Sequence, residues 1–181
     1  MLSFFLPHPP MSTTLAIIRH GQTEENVLGL LQGHMPGHLT PEGIAMAEAL
    51  ARRLAAGEHF DALLCSDLAR ARHTADIIAR HTGLVPQPSP LFRERDQGSW
   101  TGRPAAEVRG LPLPEGMETQ AQLYDRARRV LDTIARTFPG RRVLLVTHGF
   151  FARFILATHA GTGFRSITPM DNAEVRCITL P

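Results

Sequence analysis

Leu15-Ala16-Ile17-Ile18-Arg19-His20-Gly21 decides how the rest of this chain is read. Four apolar residues in a row make a short buried strand. That strand runs straight into arginine, histidine and glycine. A strand end is a rigid mount for a reactive side chain. Arginine there is an anion clamp, and the histidine beside it is a candidate nucleophile. Three residues also match by chance, so the triplet gains meaning only from partners elsewhere.

Two further apolar runs end in the same way. Ala62-Leu63-Leu64-Cys65 leads into Ser66 and Arg70, and Val143–Val146 leads into Thr147-His148-Gly149. Helical segments alternate with these runs. Thr40-Pro41-Glu42 supplies an N-cap, a first-turn proline and a first-turn acid. Ile44, Ala47, Leu50, Ala51 and Leu54 then share one helical face, and Gly57 ends it. A second helix is expected over 68–81, with Ser66 and Asp67 as cap candidates and Gly83 behind it. A long helix over 119–137 carries Leu123, Ala127, Val130, Leu131, Ile134 and Phe138 at three- and four-residue steps. Residues 150–160 read as another helix and Glu174–Leu180 as a last strand. Residues 20–39 read as a loop, and the proline-rich stretch 84–118 as irregular cover. Strands alternating with helices predict one α/β domain over 14–181 with a mostly parallel sheet, preceded by a loose extension, 1–13. Met11 is an alternative start.

The composition narrows the function classes. The chain has 181 residues, a net charge of +2 and 43% hydrophobic residues, which fits one globular domain. Basic residues form no block, which speaks against nucleic acid as a partner. No apolar run is long enough for a membrane span, and the apolar start Met1–Leu6 lacks the basic flank of a signal peptide. Cys65 and Cys177 read as two reduced core thiols of a cytoplasmic protein. No spacing marks a metal site, and no cofactor is expected.

Ligands of parallel sheets bind at the carboxyl ends of the strands. One rim therefore gathers Arg19, His20, Arg70 and His148, with Glu94 in the cover free to fold over it. That set suits transfer of a phosphoryl group from a monoester. Two arginine forks match the dianion. Neutral imidazole is a competent nucleophile near pH 7, and a carboxylic acid protonates the leaving oxygen.

The chain here resembles the histidine phosphatase superfamily, which includes the cofactor-dependent phosphoglycerate mutases. The matching pieces are Arg19–Asn26, Gln32-Gly33, Leu39–Gly43, Ser66–Ala75, Arg93-Glu94, Gly98–Gly102 and Thr147–Gly149. The resemblance implies a phosphoglycerate mutase-like, single-domain, three-layer α/β/α sandwich. It makes His20 the phosphorylated nucleophile, with Arg19, Arg70 and His148 around the phosphate. Glu94 becomes the proton donor. Thr23, Asn26, Gln32, Gly33 and the Gly149 amide are implied substrate contacts. Thr101 departs from the family's pattern, which often has an acidic residue there.

Only 24 or so residues separate Glu94 from the long helix, too few for the long insertion of the mutases. A cover this short leaves phosphohistidine open to water, which predicts hydrolysis of a small phosphorylated metabolite. A mutase-like phosphotransferase and a non-catalytic phosphometabolite-binding protein are the alternatives. Arg95, Arg103 and Arg109 are scattered in the sequence and mark no second phosphate site. The six histidines other than His20, His148 and the tail's His8 read as surface or packing residues, His34 and His38 flanking the pocket loop. Trp100 reads as a core anchor of the cover.

Overall fold

The computed structural model describes residues 12–181. The first strand, β1 (Thr13–Arg19), opens two residues earlier than the sequence pattern implies, because Thr13 already pairs with Leu180. Residues 1–11 of the expected extension, Met11 among them, lie outside the described residues.

From β1 the chain passes through one helical turn, α1 (Glu24–Val27), inside what reads as loop. It continues through α2 (Pro41–Ala56), β2 (Ala62–Ser66), α3 (Ala69–Thr82), β3 (Pro86–Ser89), the short α4 (Ala105–Val108), α5 (Gln120–Thr137), β4 (Arg142–Thr147), α6 (Gly149–Ala160) and β5 (Val175–Leu180). The strands lie in the order β3-β2-β4-β1-β5, all parallel except β5.

Strand periodicity builds the three layers. Leu15, Ile17, Val143 and Leu145 point to the face covered by α5 and α6, where Leu123, Val130, Ile134, Phe151 and Phe154 are buried. Ala16, Ile18, Leu144 and Val146 point to the opposite face, covered by α2 and α3. The central strands are therefore apolar on both sides, as their unbroken hydrophobic runs require.

Four expectations need correction. β3 lies within the supposed irregular cover; its Pro86 and Pro88 lack N–H donors, yet they suit an edge strand whose outer side needs none. Ile44 is exposed rather than on the buried stripe of α2, where Gly43 takes the inward place. Ser66 and Asp67 do not act as N-cap of α3, which starts after Leu68 without a side-chain cap. Cys65 is buried but Cys177 is exposed, because β5 is an outer strand with one open face.

Candidate active site

The register of β1 against β4 brings the two histidine-bearing exits together. Arg19 pairs with Thr147, and the His20 amide donates to the Thr147 carbonyl at 3.0 Å. The His20 and His148 rings consequently meet edge-on, 5.2 Å between centroids. Both are buried.

The His20 Nδ1 lies 2.7 Å from the Gly21 carbonyl, an acceptor only, so Nδ1 carries the proton. The other nitrogen, Nε2, accepts from Arg70 Nε at 3.3 Å and is bare. Burial, reinforced by the Arg70 charge, holds the imidazole well below its usual 6.5. The same burial and the same arginine depress His148, whose Nε2 shares a 2.8 Å hydrogen bond with Ser66 Oγ while Nδ1 has no partner. Ser66 thus orients His148 instead of capping a helix by itself; its oxygen also accepts from the Leu68 amide at 3.2 Å.

Arg70 is delivered by the first turn of α3 and is almost wholly buried. Its terminal nitrogens donate to the Gly33 carbonyl at 2.9 Å and the Met35 carbonyl at 2.6 Å, so the loop after β1 holds the guanidinium plane. Burial pushes its pKa down to about 10, which keeps it cationic at neutral pH. Arg19 reaches the Met170 carbonyl at 2.5 Å, and its Nε is buried without a partner. Gly149 lets this arginine approach: a Cβ there would stand 3.0 Å from Arg19 Nε.

Glu94 is anchored on the start of α6. Its Oε1 accepts from the Phe151 amide at 3.0 Å and the Arg95 amide at 2.9 Å, and its Oε2 from the Phe150 amide at 3.2 Å. Helix-start amides are ready donors for a carboxyl group, so the cover is pinned through the Glu94 side chain. The Gly149 amide, first in the same turn, stays out of this contact.

A cleft of about 580 Å³ is lined by Arg19, His20, Asn26, Gln32, Gly33, Arg70, Glu94 and Gly149 together. Thr23 and His148 do not line it. Thr23 is fully buried, and its hydroxyl caps α1 by accepting from the Asn26 amide at 3.2 Å. Asn26 Oδ1 is taken by the Thr23 amide and by Asn172 Nδ2, which leaves its Nδ2 for the cleft. Trp100 is a wall of the cleft rather than a core anchor. His34 grips the Glu94 carbonyl at 2.9 Å.

Two positioning residues escape the sequence reading. Asn172 Nδ2 donates to the His20 carbonyl at 3.0 Å and ties the exit of β1 to the segment before β5. Arg126 of α5 forks onto Glu118 at 2.7 and 2.8 Å, stacks on the Phe151 ring and donates to the carbonyls of Arg93 and Glu94. In sequence Arg126 is one more charge on a charged helix, and Asn172 one more polar loop residue. Among the described residues no three His, Cys, Asp or Glu side chains gather as a metal set, and no helix is long and apolar enough to cross a membrane.

Comparison with known proteins extends this picture. The chain is 36% identical over 160 residues to the metal-independent phosphoserine phosphatase of Arabidopsis thaliana, covering 79% of this chain and 67% of that one. A mycobacterial glucosyl-3-phosphoglycerate phosphatase solved with VO3 matches with a TM-score of 0.83 at 26% identity, over 91% of this chain and 90% of that one. A phosphoserine phosphatase from Entamoeba histolytica, in complex with 3-phosphoglyceric acid, matches with a TM-score of 0.80 at 25% identity, over 91% and 89%. The family model for the histidine phosphatase superfamily (branch 1) matches residues 15–180, nearly the whole described chain. Paired histidines at adjacent strand ends, on a fold shared along almost its entire length, place this chain in the histidine phosphatase superfamily, to which it belongs.

Proposed function

We propose that the protein hydrolyses a small O-phosphomonoester through a phosphohistidine at His20. The observation that carries this reading is the bare His20 Nε2, fixed by the 2.7 Å contact of Nδ1 with Gly21 and facing Arg70 Nε at 3.3 Å. A phosphate bound between Arg19, Arg70 and the Gly149 amide presents phosphorus to that lone pair. Nε2 forms a bond to phosphorus as the ester P–O bond breaks, and Glu94 gives its proton to the departing alkoxide. Water then attacks the phosphorus, Glu94 takes its proton, and the N–P bond breaks to release phosphate and bare Nε2. His148 stands behind this pocket, and its ring packs edge-on against His20 at 5.2 Å, which helps to fix the nucleophile's orientation. Splitting the displacement in two replaces one difficult step with two easier ones.

The test is turnover of an aryl phosphate together with alkaline-quench trapping. Wild type is expected to release phosphate without a bisphosphorylated primer and to carry an acid-labile, alkali-stable phosphoryl group. His20→Ala should do neither. Equal turnover in His20→Ala overturns the mechanism. Primer-dependent isomerisation with negligible hydrolysis overturns the phosphatase reading in favour of a phosphotransferase.

A further inference from the structure

The charges left in the cleft exceed what one phosphate needs. Arg95, Arg109 and Arg153 line it as well, and they come from three separate places: the cover beside Glu94, the segment after α4, and the second turn of α6. In the sequence the arginines of the cover look scattered. Folding sorts them. Arg103 faces Glu107 on the surface, while Arg95 and Arg109 join Arg153 at the cleft.

None of the three has a carboxylate within ion-pairing distance among the described residues, whereas Arg72, Arg93, Arg126 and Arg176 each have one. Arg95 is the most telling. It is 9% exposed, and only its Nε has an acceptor, the Glu118 carbonyl at 2.8 Å. Its Nη2 is buried without a partner. A desolvated, unpaired guanidinium is costly unless something anionic completes it. Arg153 likewise spends only Nε, on the Ile167 carbonyl at 2.8 Å. Burial lowers the pKa of both arginines without discharging them. Glu94, the one acidic side chain lining the cleft among the described residues, is held by three backbone amides and makes no hydrogen bond to the three guanidinium groups, although its charge and that of Glu118 are felt at Arg95.

We infer that Arg95, Arg109 and Arg153 form a second anion subsite, so the preferred substrate is a phosphomonoester bearing another anionic group. This rests on the proposed phosphatase reading. The two subsites share α6: Gly149 faces the phosphate, and Arg153 follows four residues later, about 6 Å along the axis. That spacing suits a compact molecule whose second anion lies a few bonds from the ester oxygen. Leu111 and Leu113 on the same cleft are exposed, and offer apolar contact to the carbon skeleton between the anions.

Matched substrates test it. O-phosphoserine differs from phosphoethanolamine by one carboxylate, and 3-phosphoglycerate from glycerol 1-phosphate by one carboxylate in place of a hydroxymethyl group. Glycerol 1,3-bisphosphate shows whether a phosphate serves the subsite as well as a carboxylate. Wild type is expected to favour the doubly anionic member of each pair by at least tenfold in kcat/KM. Arg153→Gln and Arg95→Gln should shrink that ratio by about ten- to a hundredfold, the range for a hydrogen bond to a charged group. Arg153→Lys should keep a substantial part of it. Arg109→Gln, at an exposed residue, tests the ratio without a folding risk. Arg103→Gln should leave the ratio unchanged. Two results overturn the inference: a ratio near one in wild type, or a high ratio that survives all three glutamine variants. Absence of His20-dependent turnover on every substrate, aryl phosphate included, would instead refute the phosphatase reading beneath it.

Discussion

Gly43→Ala is expected to damage both stability and catalysis, although helix propensity alone favours alanine by about 1 kcal/mol. A Cβ at Gly43 would stand 2.0 Å from the Gln22 carbonyl oxygen and 2.8 Å from the Gln22 nitrogen. Ordinary contact begins near 3.4 Å, so the start of α2 and the loop after His20 must separate by about 1.4 Å. Both clashing partners are backbone, and no rotamer change relieves them. The Gly21 face of the same contact is equally tight, with 2.5 Å from a Gly21 Cβ to the Gly43 carbonyl oxygen. Overpacking of this kind costs about 2 kcal/mol or more, so a net loss of about 1 kcal/mol or more remains after the propensity gain, which lowers Tm by at least about 2–4 °C. Gln22 follows His20-Gly21, the pair that holds the proposed nucleophile, so a displacement above 1 Å should lower kcat/KM by about a hundredfold. Thermal unfolding and aryl phosphate hydrolysis read the two effects. Gly163→Ala, whose Cβ meets nothing within 4 Å, serves as the control. A Gly43→Ala protein with unchanged or higher Tm and unchanged kcat/KM would refute the steric reasoning.

Glu94→Gln should lower kcat on alkyl phosphates by about a hundredfold or more, and far less on aryl phosphates, whose leaving groups need no proton. The glutamine amide also faces the helix-start N–H groups, but that structural cost falls on both substrates, so the alkyl-to-aryl ratio is the readout; equal losses mean that another group is the acid. The buried histidines predict a pH effect on folding. His20 and His148 are held well below 6.5, so the unfolded chain takes up protons first. Their contribution is fully present above pH 6.5 and is lost as pH falls toward their folded-state values, by about 1.4 kcal/mol per pH unit for each histidine. Urea unfolding of the phosphate-free protein between pH 7.5 and 5 measures the slope, and His148→Gln should roughly halve it; a flat profile would contradict the burial argument.

The strands and helices that frame the site were readable because their signals are local. Apolar runs of four or five residues mark β1, β2 and β4, and Thr40-Pro41 and Thr119 sit where their helices start. What escaped reading depends on place in the sheet or on distant partners. Pro86 and Pro88 break strands everywhere except at an edge, and being an edge is a property of the whole sheet. Thr23 resembles a substrate contact by position, yet its hydroxyl is consumed by its own helix turn. Arg95, Arg109 and Arg153 converge only after α6 has packed beneath the cover. Asn172 and His20 meet across 152 residues, a contact no window of sequence contains.

The strand order has a consequence for how this protein is made. β1 leads into His20, the proposed nucleophile, and is the first strand of the described residues, but its neighbours are β4 and β5. β2, the next strand to appear, pairs with β3 and β4 and never touches it. On the ribosome, therefore, an apolar ribbon from Thr13 to Arg19 has no native edge to join until residues 142–147 have emerged. Closure of the sheet must wait for those late residues, and such long-range pairing is slow and leaves sticky intermediates exposed meanwhile. The insertion of β4 between β2 and β1 joins the two halves of the sheet and, in the same event, sets His148 against His20, before β5 adds to the outer edge of β1. A nascent chain thus brings its two buried histidines together when the halves of its sheet join, and not before.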